Sequence, residues 1–221
     1  MEDTWVVVPL FNEEQVIGDV VRDLRGTFPQ VVCVDDGSRD GSAAAAREAG
    51  AVVVRHSLNL GQGASLQTGI QYALSDPQMR YVVTFDADGQ HQVSDALAMV
   101  QRLRAGEADA VFGSRFLDSR TRPGLVKRLV LKAAVMYSNA TTGVRLTDAH
   151  NGLRALTRQC CERLDIRQNR MAHASEIVHQ IGRSRARVVE HPVHILYTDY
   201  SRSKGQSVLN SVNIVADLFF K

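Results

Sequence analysis

Short, uninterrupted apolar runs alternate with helical stretches along the first half of the chain. This alternation restricts the possible folds more than any other feature of the sequence. Residues 4–8, 31–34, 51–54, 81–85 and 110–112 are apolar runs of strand length. Between them, residues 13–24, 42–49, 65–74 and 93–103 carry helical spacing, with Val16, Ile17, Val20, Val21 and Leu24 as the clearest case. Strands that are apolar throughout are buried on both faces, so the pattern predicts a mostly parallel α/β sheet with helices on both faces. The first strand is expected to stop at Pro9. The second half is less regular. We expect an amphipathic helix over 125–138 with basic residues at its start, a strand near 152–156, a helix over 174–182, one or two strands over 188–197, and an apolar-rich C-terminal helix over 207–220.

In open parallel sheets, ligands bind beyond the carboxyl ends of the strands, and the polar residues of this chain gather there. Strand one runs into Pro9-Leu10-Phe11-Asn12-Glu13, strand two into Asp35-Asp36-Gly37-Ser38, strand four into Asp86-Ala87-Asp88-Gly89-Gln90, and strand five into Gly113-Ser114-Arg115. Asp86, Asp88 and the Gln90 amide are hard oxygen donors suited to Mg²⁺ or Mn²⁺. A bare Asp-x-Asp can equally cap a turn; its position at the end of a buried strand favours the metal. The 35–38 loop is either a turn that caps the next helix, through Ser38 or Asp40, or a nucleoside-binding loop. Gly61-Gln62-Gly63-Ala64 lacks the lysine of a phosphate-binding loop, so its glycines read as positions of close approach. Arg115 and Arg202 are the best phosphate partners by type. The arginines at 154, 158, 163, 167 and 170 read as structural. His173, Glu176 and His179 have helical spacing, and packing is favoured over metal binding. Asp148, in a turn-like segment, is the candidate base should the reacting group be a hydroxyl that needs one.

The 221 residues suit one domain. A net charge of +2 supplies no basic field for nucleic acid. The local cluster Arg115, Arg120, Arg122, Lys127, Arg128 and Lys132 is either a solvated helix face or an anion- or membrane-facing surface. Cys33, Cys160 and Cys161 show no zinc or disulfide spacing, consistent with a reducing compartment. The N-terminal residues do not read as a signal peptide, and with no stretch of about 18 apolar residues no membrane span is expected.

Taken in order, Pro9-Leu10-Phe11-Asn12-Glu13, Val34-Asp35-Asp36-Gly37-Ser38, Gly61-x-Gly63-Ala64, Asp86-Ala87-Asp88-Gly89-Gln90-His91 and Gly113-Ser114-Arg115 resemble the inverting family-2 glycosyltransferases of the GT-A fold. The likeness is greatest to the dolichol- and polyprenyl-phosphate sugar synthases. The resemblance implies a nucleotide-sugar half (1–115) and an acceptor half (116–221), with Pro9, Phe11, Glu13, Val34 and Asp36 lining a nucleoside pocket. It implies that Asp86, Ala87 and Asp88 contact the donor, with Asp88 and Gln90 on the metal, and that Arg115 and Arg202 hold phosphates. The segment Arg202-Ser203-Lys204-Gly205-Gln206-Ser207 follows a family motif whose final lysine is replaced by Val208, so Lys204 is the candidate substitute. The Gln-x-x-Arg-Trp signature of processive synthases is absent. The partners implied are a UDP- or GDP-linked sugar and a polyprenyl phosphate, or alternatively a glycan hydroxyl. A homo-oligomer and a peripheral position on the cytoplasmic face of the membrane, with a small membrane protein as anchor, are further expectations.

Overall fold

The computed structural model describes residues 1–117, 144 and 146–196. The helices expected over 125–138 and 207–220, together with Arg202 and Lys204, lie outside these residues. Seven strands form one sheet in the order β3-β2-β1-β4-β6-β5-β7. They are β1 (Thr4–Leu10), β2 (Gln30–Asp35), β3 (Val52–Arg55), β4 (Tyr81–Thr84), β5 (Ala110–Ser114), β6 (Arg154–Thr157) and β7 (Val188–Pro192). Six run in one direction, and β6 runs against its neighbours β4 and β5.

Alternate residues of β1 divide the core into two layers. Val6, Val8 and Leu10 pack with α1 (Ile17–Arg25), α2 (Ser42–Glu48) and α4 (Val93–Arg104). Trp5 and Val7 face α3 (Gln62–Leu74), α5 (Arg158–Glu162) and α6 (His173–Arg183) on the opposite side. The sheet is thus covered on both faces, as its apolar strands require.

Several boundaries differ from expectation, each for a local reason. Pro9 does not end β1; the strand continues to Leu10. The β4 ladder on β1 stops at Val7 paired with Thr84, and the Val7 carbonyl accepts from Phe85 N–H. By alternation, the missing N–H of Pro9 points to the side where that ladder has ended, while Leu10 O still accepts from Asp36 N–H on the β2 side. Helix α1 starts at Ile17 rather than 13, because the preceding chain is tied to the β2–α2 loop: Asn12 N–H donates to Ser38 Oγ (3.0 Å) and Glu13 N–H to Ser42 Oγ (2.7 Å). Helix α3 begins at Gln62, three residues earlier than expected, with Gly61 at φ +104° as its cap. Arg158 carries the far end of α3. Its guanidinium donates to the carbonyls of Leu74 (3.1 Å), Asp76 (3.0 Å) and Met79 (3.1 Å), a cation set against a helix C-terminus. The three cysteines are buried free thiols.

Candidate functional site

The parallel neighbours β2, β1 and β4 bring their carboxyl ends together, and a cavity of about 520 Å³ opens there. Pro9, Leu10, Phe11 and Glu13 line it from β1, Asp36 from β2, and Asp86, Ala87 and Asp88 from β4. Asn59, Gly61, Gln62 and Ser65 come from the start of α3, and Arg170 and Met171 from the segment before α6. Seven of the residues singled out in the sequence therefore meet at one cavity: Pro9, Phe11, Glu13, Asp36, Asp86, Ala87 and Asp88. Phe11 is 44% exposed, so an aromatic face is open to solvent at the cavity.

Asp36 is nearly fully buried and organises the loop opposite. Its Oδ1 accepts from Leu60 N–H (2.9 Å) and lies 2.8 Å from His56 Nδ1; its Oδ2 accepts from Gly61 N–H (2.7 Å). The adjacent Asp35 is wholly buried, receives Ser38 N–H (2.9 Å) and pairs with Arg55 (3.0 Å). The 35–38 loop therefore does act as a turn, while Asp36 also lines the cavity.

Asp86 is held from two sides. Gln62 Nε2 donates to Oδ1 (3.1 Å), and His91 Nε2 lies 2.9 Å from Oδ2. Burial pushes its pKa up, but the His91 contact and the positive charge of Arg154 outweigh burial and hold the carboxyl below the usual range. Asp88 is the reverse case. Burial, reinforced by the negative charge of Asp86, raises it to about 6, against the opposing Gln90 N–H (3.1 Å). Two crowded carboxylates with oxygen donors fit a hard divalent cation, which would relieve their mutual repulsion. No group of three or more His, Cys, Asp or Glu suited to a metal occurs among the described residues, so further ligands would come from a bound phosphate or water.

The antiparallel direction of β6 delivers its start to the same edge. Thr84 pairs with Arg154, and Thr84 Oγ1 donates to Gly152 O (2.6 Å). Gly152 backs directly onto Asp86: a Cβ there would stand 2.6 Å from the carboxyl carbon. Arg154 is 1% exposed, with its guanidinium 5.8 Å from the Phe112 ring. Burial lowers it to about 10, partly offset by Asp86 and Asp148.

Four of the expected site residues lie off the described cavity. Val34 is fully buried against α3 in the core and does not line the cavity. Gln90 meets Asp88 through its backbone N–H, and its side chain is not on the cavity wall. Asp148 is 1% exposed and doubly engaged by Arg115, from Nε (2.7 Å) and Nη2 (2.8 Å). Burial raises its pKa, but the Arg115 bonds and charge bring it below the ordinary value. A carboxylate so buried and so paired is a structural ion-pair partner and a poor proton acceptor. Arg115 is spent on the same pair and does not line the cavity.

Sequence reasoning missed Gln62, Arg154 and Arg170 as site residues. Glu176 is structural, its carboxylate accepting from Arg167 N–H (3.0 Å) and Gln168 N–H (2.8 Å). His173 is buried, its Nδ1 2.7 Å from Arg170 O, so packing is also its role.

The family model "Glycosyl transferase family 2" matches residues 5–164. An uncharacterized protein of Methanocaldococcus jannaschii is 33% identical over 225 residues, covering 100% of this chain and 92% of its own length. The UDP-N-acetylglucosamine--dolichyl-phosphate N-acetylglucosaminyltransferase of Methanococcus voltae is 26% identical, covering 93% and 90%. The polyprenol monophosphomannose synthase of Mycolicibacterium smegmatis is 33% identical, covering 74% and 64%. Among solved structures, glucosyl-3-phosphoglycerate synthase from Mycobacterium tuberculosis in complex with Mn²⁺, uridine-diphosphate and glucosyl-3-phosphoglycerate superposes with a TM-score of 0.74. At 18% identity, over 98% of this chain and 78% of that one, it speaks for the fold alone. With its sheet, its cavity and the carboxylates at the end of β4, the chain belongs to glycosyl transferase family 2 and has the GT-A fold.

Proposed function

We propose that the protein transfers a sugar from a nucleoside-diphosphate donor to a polyprenyl phosphate, with inversion at the anomeric carbon. The observation that carries this reading is the Asp86–Asp88 pair on the wall of a cavity large enough for a nucleotide. Pro9, Phe11, Glu13 and Asp36 hold the nucleoside. Asp86 and Asp88 hold Mg²⁺ or Mn²⁺, with Gln90 fixing Asp88 through the main chain. The cation, when bound, neutralises charge on the leaving diphosphate. Arg202 and Lys204, outside the described residues, are carried as phosphate ligands on the acceptor side.

A phosphate acceptor supports this choice on chemical grounds. Its oxygen is already anionic near neutral pH, so transfer rests on positioning and charge neutralisation rather than on a base. The engagement of Asp148 by Arg115 is in keeping with that. Relatives named for dolichyl and polyprenol phosphate point the same way. No helix among the described residues is long and apolar enough to cross a membrane. A lipid acceptor would bring the enzyme to the bilayer surface as a peripheral protein.

The test is direct. Purified protein is incubated with UDP- and GDP-linked sugars, Mn²⁺ and a short-chain polyprenyl phosphate, and the products are read by mass spectrometry. A glycosyl phospholipid is expected, lost on chelation and reduced about 100-fold or more by Asp88→Asn. Glycosylation of a free sugar with none of the polyprenyl phosphate would overturn the lipid reading. Undiminished turnover in chelator would overturn the metal.

A further inference from the structure

The cavity is acidic. Glu13, Asp36, Asp86 and Asp88 line it, and Arg170 is the one basic side chain among the described residues that do. A nucleoside diphosphate entering that space brings further negative charge, and one divalent cation cannot balance four carboxylates and a diphosphate. Resting on the donor reading above, we propose that Arg170 is a binding residue for the donor diphosphate, set on the α6 side of the cavity.

The position of Arg170 is built into the fold while its side chain is left uncommitted. The backbone of 167–170 is fastened at several points. Glu176 accepts from Arg167 N–H and Gln168 N–H. Arg170 O receives His173 N–H (3.0 Å) and lies 2.7 Å from His173 Nδ1. Asn169 O accepts from Gly63 N–H (2.8 Å).

This also explains the Gly61-x-Gly63 pair. A Cβ on Gly61 would collide with Asn169 O, and one on Gly63 with Gln168 O, so only glycines let the segment lie against the start of α3. The Arg170 guanidinium itself makes no hydrogen bond or ion pair among the described residues. A planar, permanently charged fork fixed by its main chain but free at its tip is suited to two-point contact with phosphate oxygens. Arg115, a phosphate partner expected from sequence, is paired with Asp148.

The experiment measures binding of UDP, UMP and uridine by titration calorimetry with Mn²⁺, with GDP, GMP and guanosine as a second series. Wild type, Arg170→Ala and Arg170→Lys are compared. Loss of charge-assisted contacts predicts about 10- to 100-fold weaker diphosphate binding in Arg170→Ala, with nucleoside binding changed less than about twofold and partial recovery in Arg170→Lys. Arg170 is exposed and its anchoring is through the backbone, so melting temperatures should match wild type. Equal diphosphate affinity in wild type and Arg170→Ala overturns the assignment while leaving the donor site standing. An equal loss of nucleoside and diphosphate binding also overturns it, since that is the signature of a distorted cavity. A wild type that binds neither diphosphate overturns the donor-site reading and this assignment with it.

Discussion

Asp86 occupies a space defined by its neighbours: Gln62 on one oxygen, His91 on the other, and the bare Cα of Gly152 behind. Gly152→Ala therefore cannot be accommodated without moving the carboxylate. Displacement of a reacting group by about 1 Å costs on the order of 100-fold, and a drop of that size in kcat/KM, measured with saturating Mn²⁺, is expected. Asp148→Asn separates two roles for that residue. Loss of a base would reduce turnover and leave stability alone. Removal of the Asp148 charge breaks its buried ion pair with Arg115, a loss worth up to about 3–5 kcal/mol. The second outcome is expected, read as a shift of the urea midpoint. At this scale the sequence was partly legible. Carboxylates at strand ends are contiguous motifs and could be found. Gln62, Arg154 and Arg170 reach the site through a helix start, an antiparallel strand and a strap before α6, contacts that join residues far apart in the chain and leave no local spacing to read.

Helix α3 shows how packing overrides propensity. Gly69 lies in its interior, where alanine would favour the helix by about 1 kcal/mol. A Cβ there would collide with Val7 Cγ1 and stand 3.2 Å from Val34 Cγ2, both from the central strands. Overpacking of this kind costs about 1–3 kcal/mol, so Gly69→Ala should be net destabilising in thermal melts despite the better helix former. The elements themselves were mostly visible, because strands buried on both faces and amphipathic helices such as α1 have strong periodic signals. Helix α5 was missed because five residues are too few to show a period; it is set by Thr157, whose Oγ1 accepts from Cys160 N–H. The start of α1 was misjudged because Ser38 and Ser42 tie down a segment whose own spacing is helical.

The whole molecule should be acid-sensitive in a defined window. Burial holds His173 down to about 4, from an ordinary value of 6.5, with Arg154 adding to the effect. Between those values the unfolded chain binds a proton that the native state refuses, so stability falls as pH drops from about 6.5 to about 4. The full shift corresponds to about 3 kcal/mol at pH 4. His150, also lowered by burial, acts in the same direction. Urea midpoints followed from pH 7 to pH 4 should decline, and His173→Asn should flatten the decline. An unchanged slope in the variant would place the acid sensitivity elsewhere.

The reversed strand β6 has a consequence for synthesis. Residues 154–157 fill the gap between β4 and β5, although both of those strands emerge from the ribosome well before them. Until that insertion the nascent chain carries two open edges with unpaired amides, each a template for intermolecular pairing. The sheet therefore cannot be completed in the order in which it is made. A fragment ending at residue 117 should be prone to association, and closure of the sheet should depend on slow, long-range pairing late in translation.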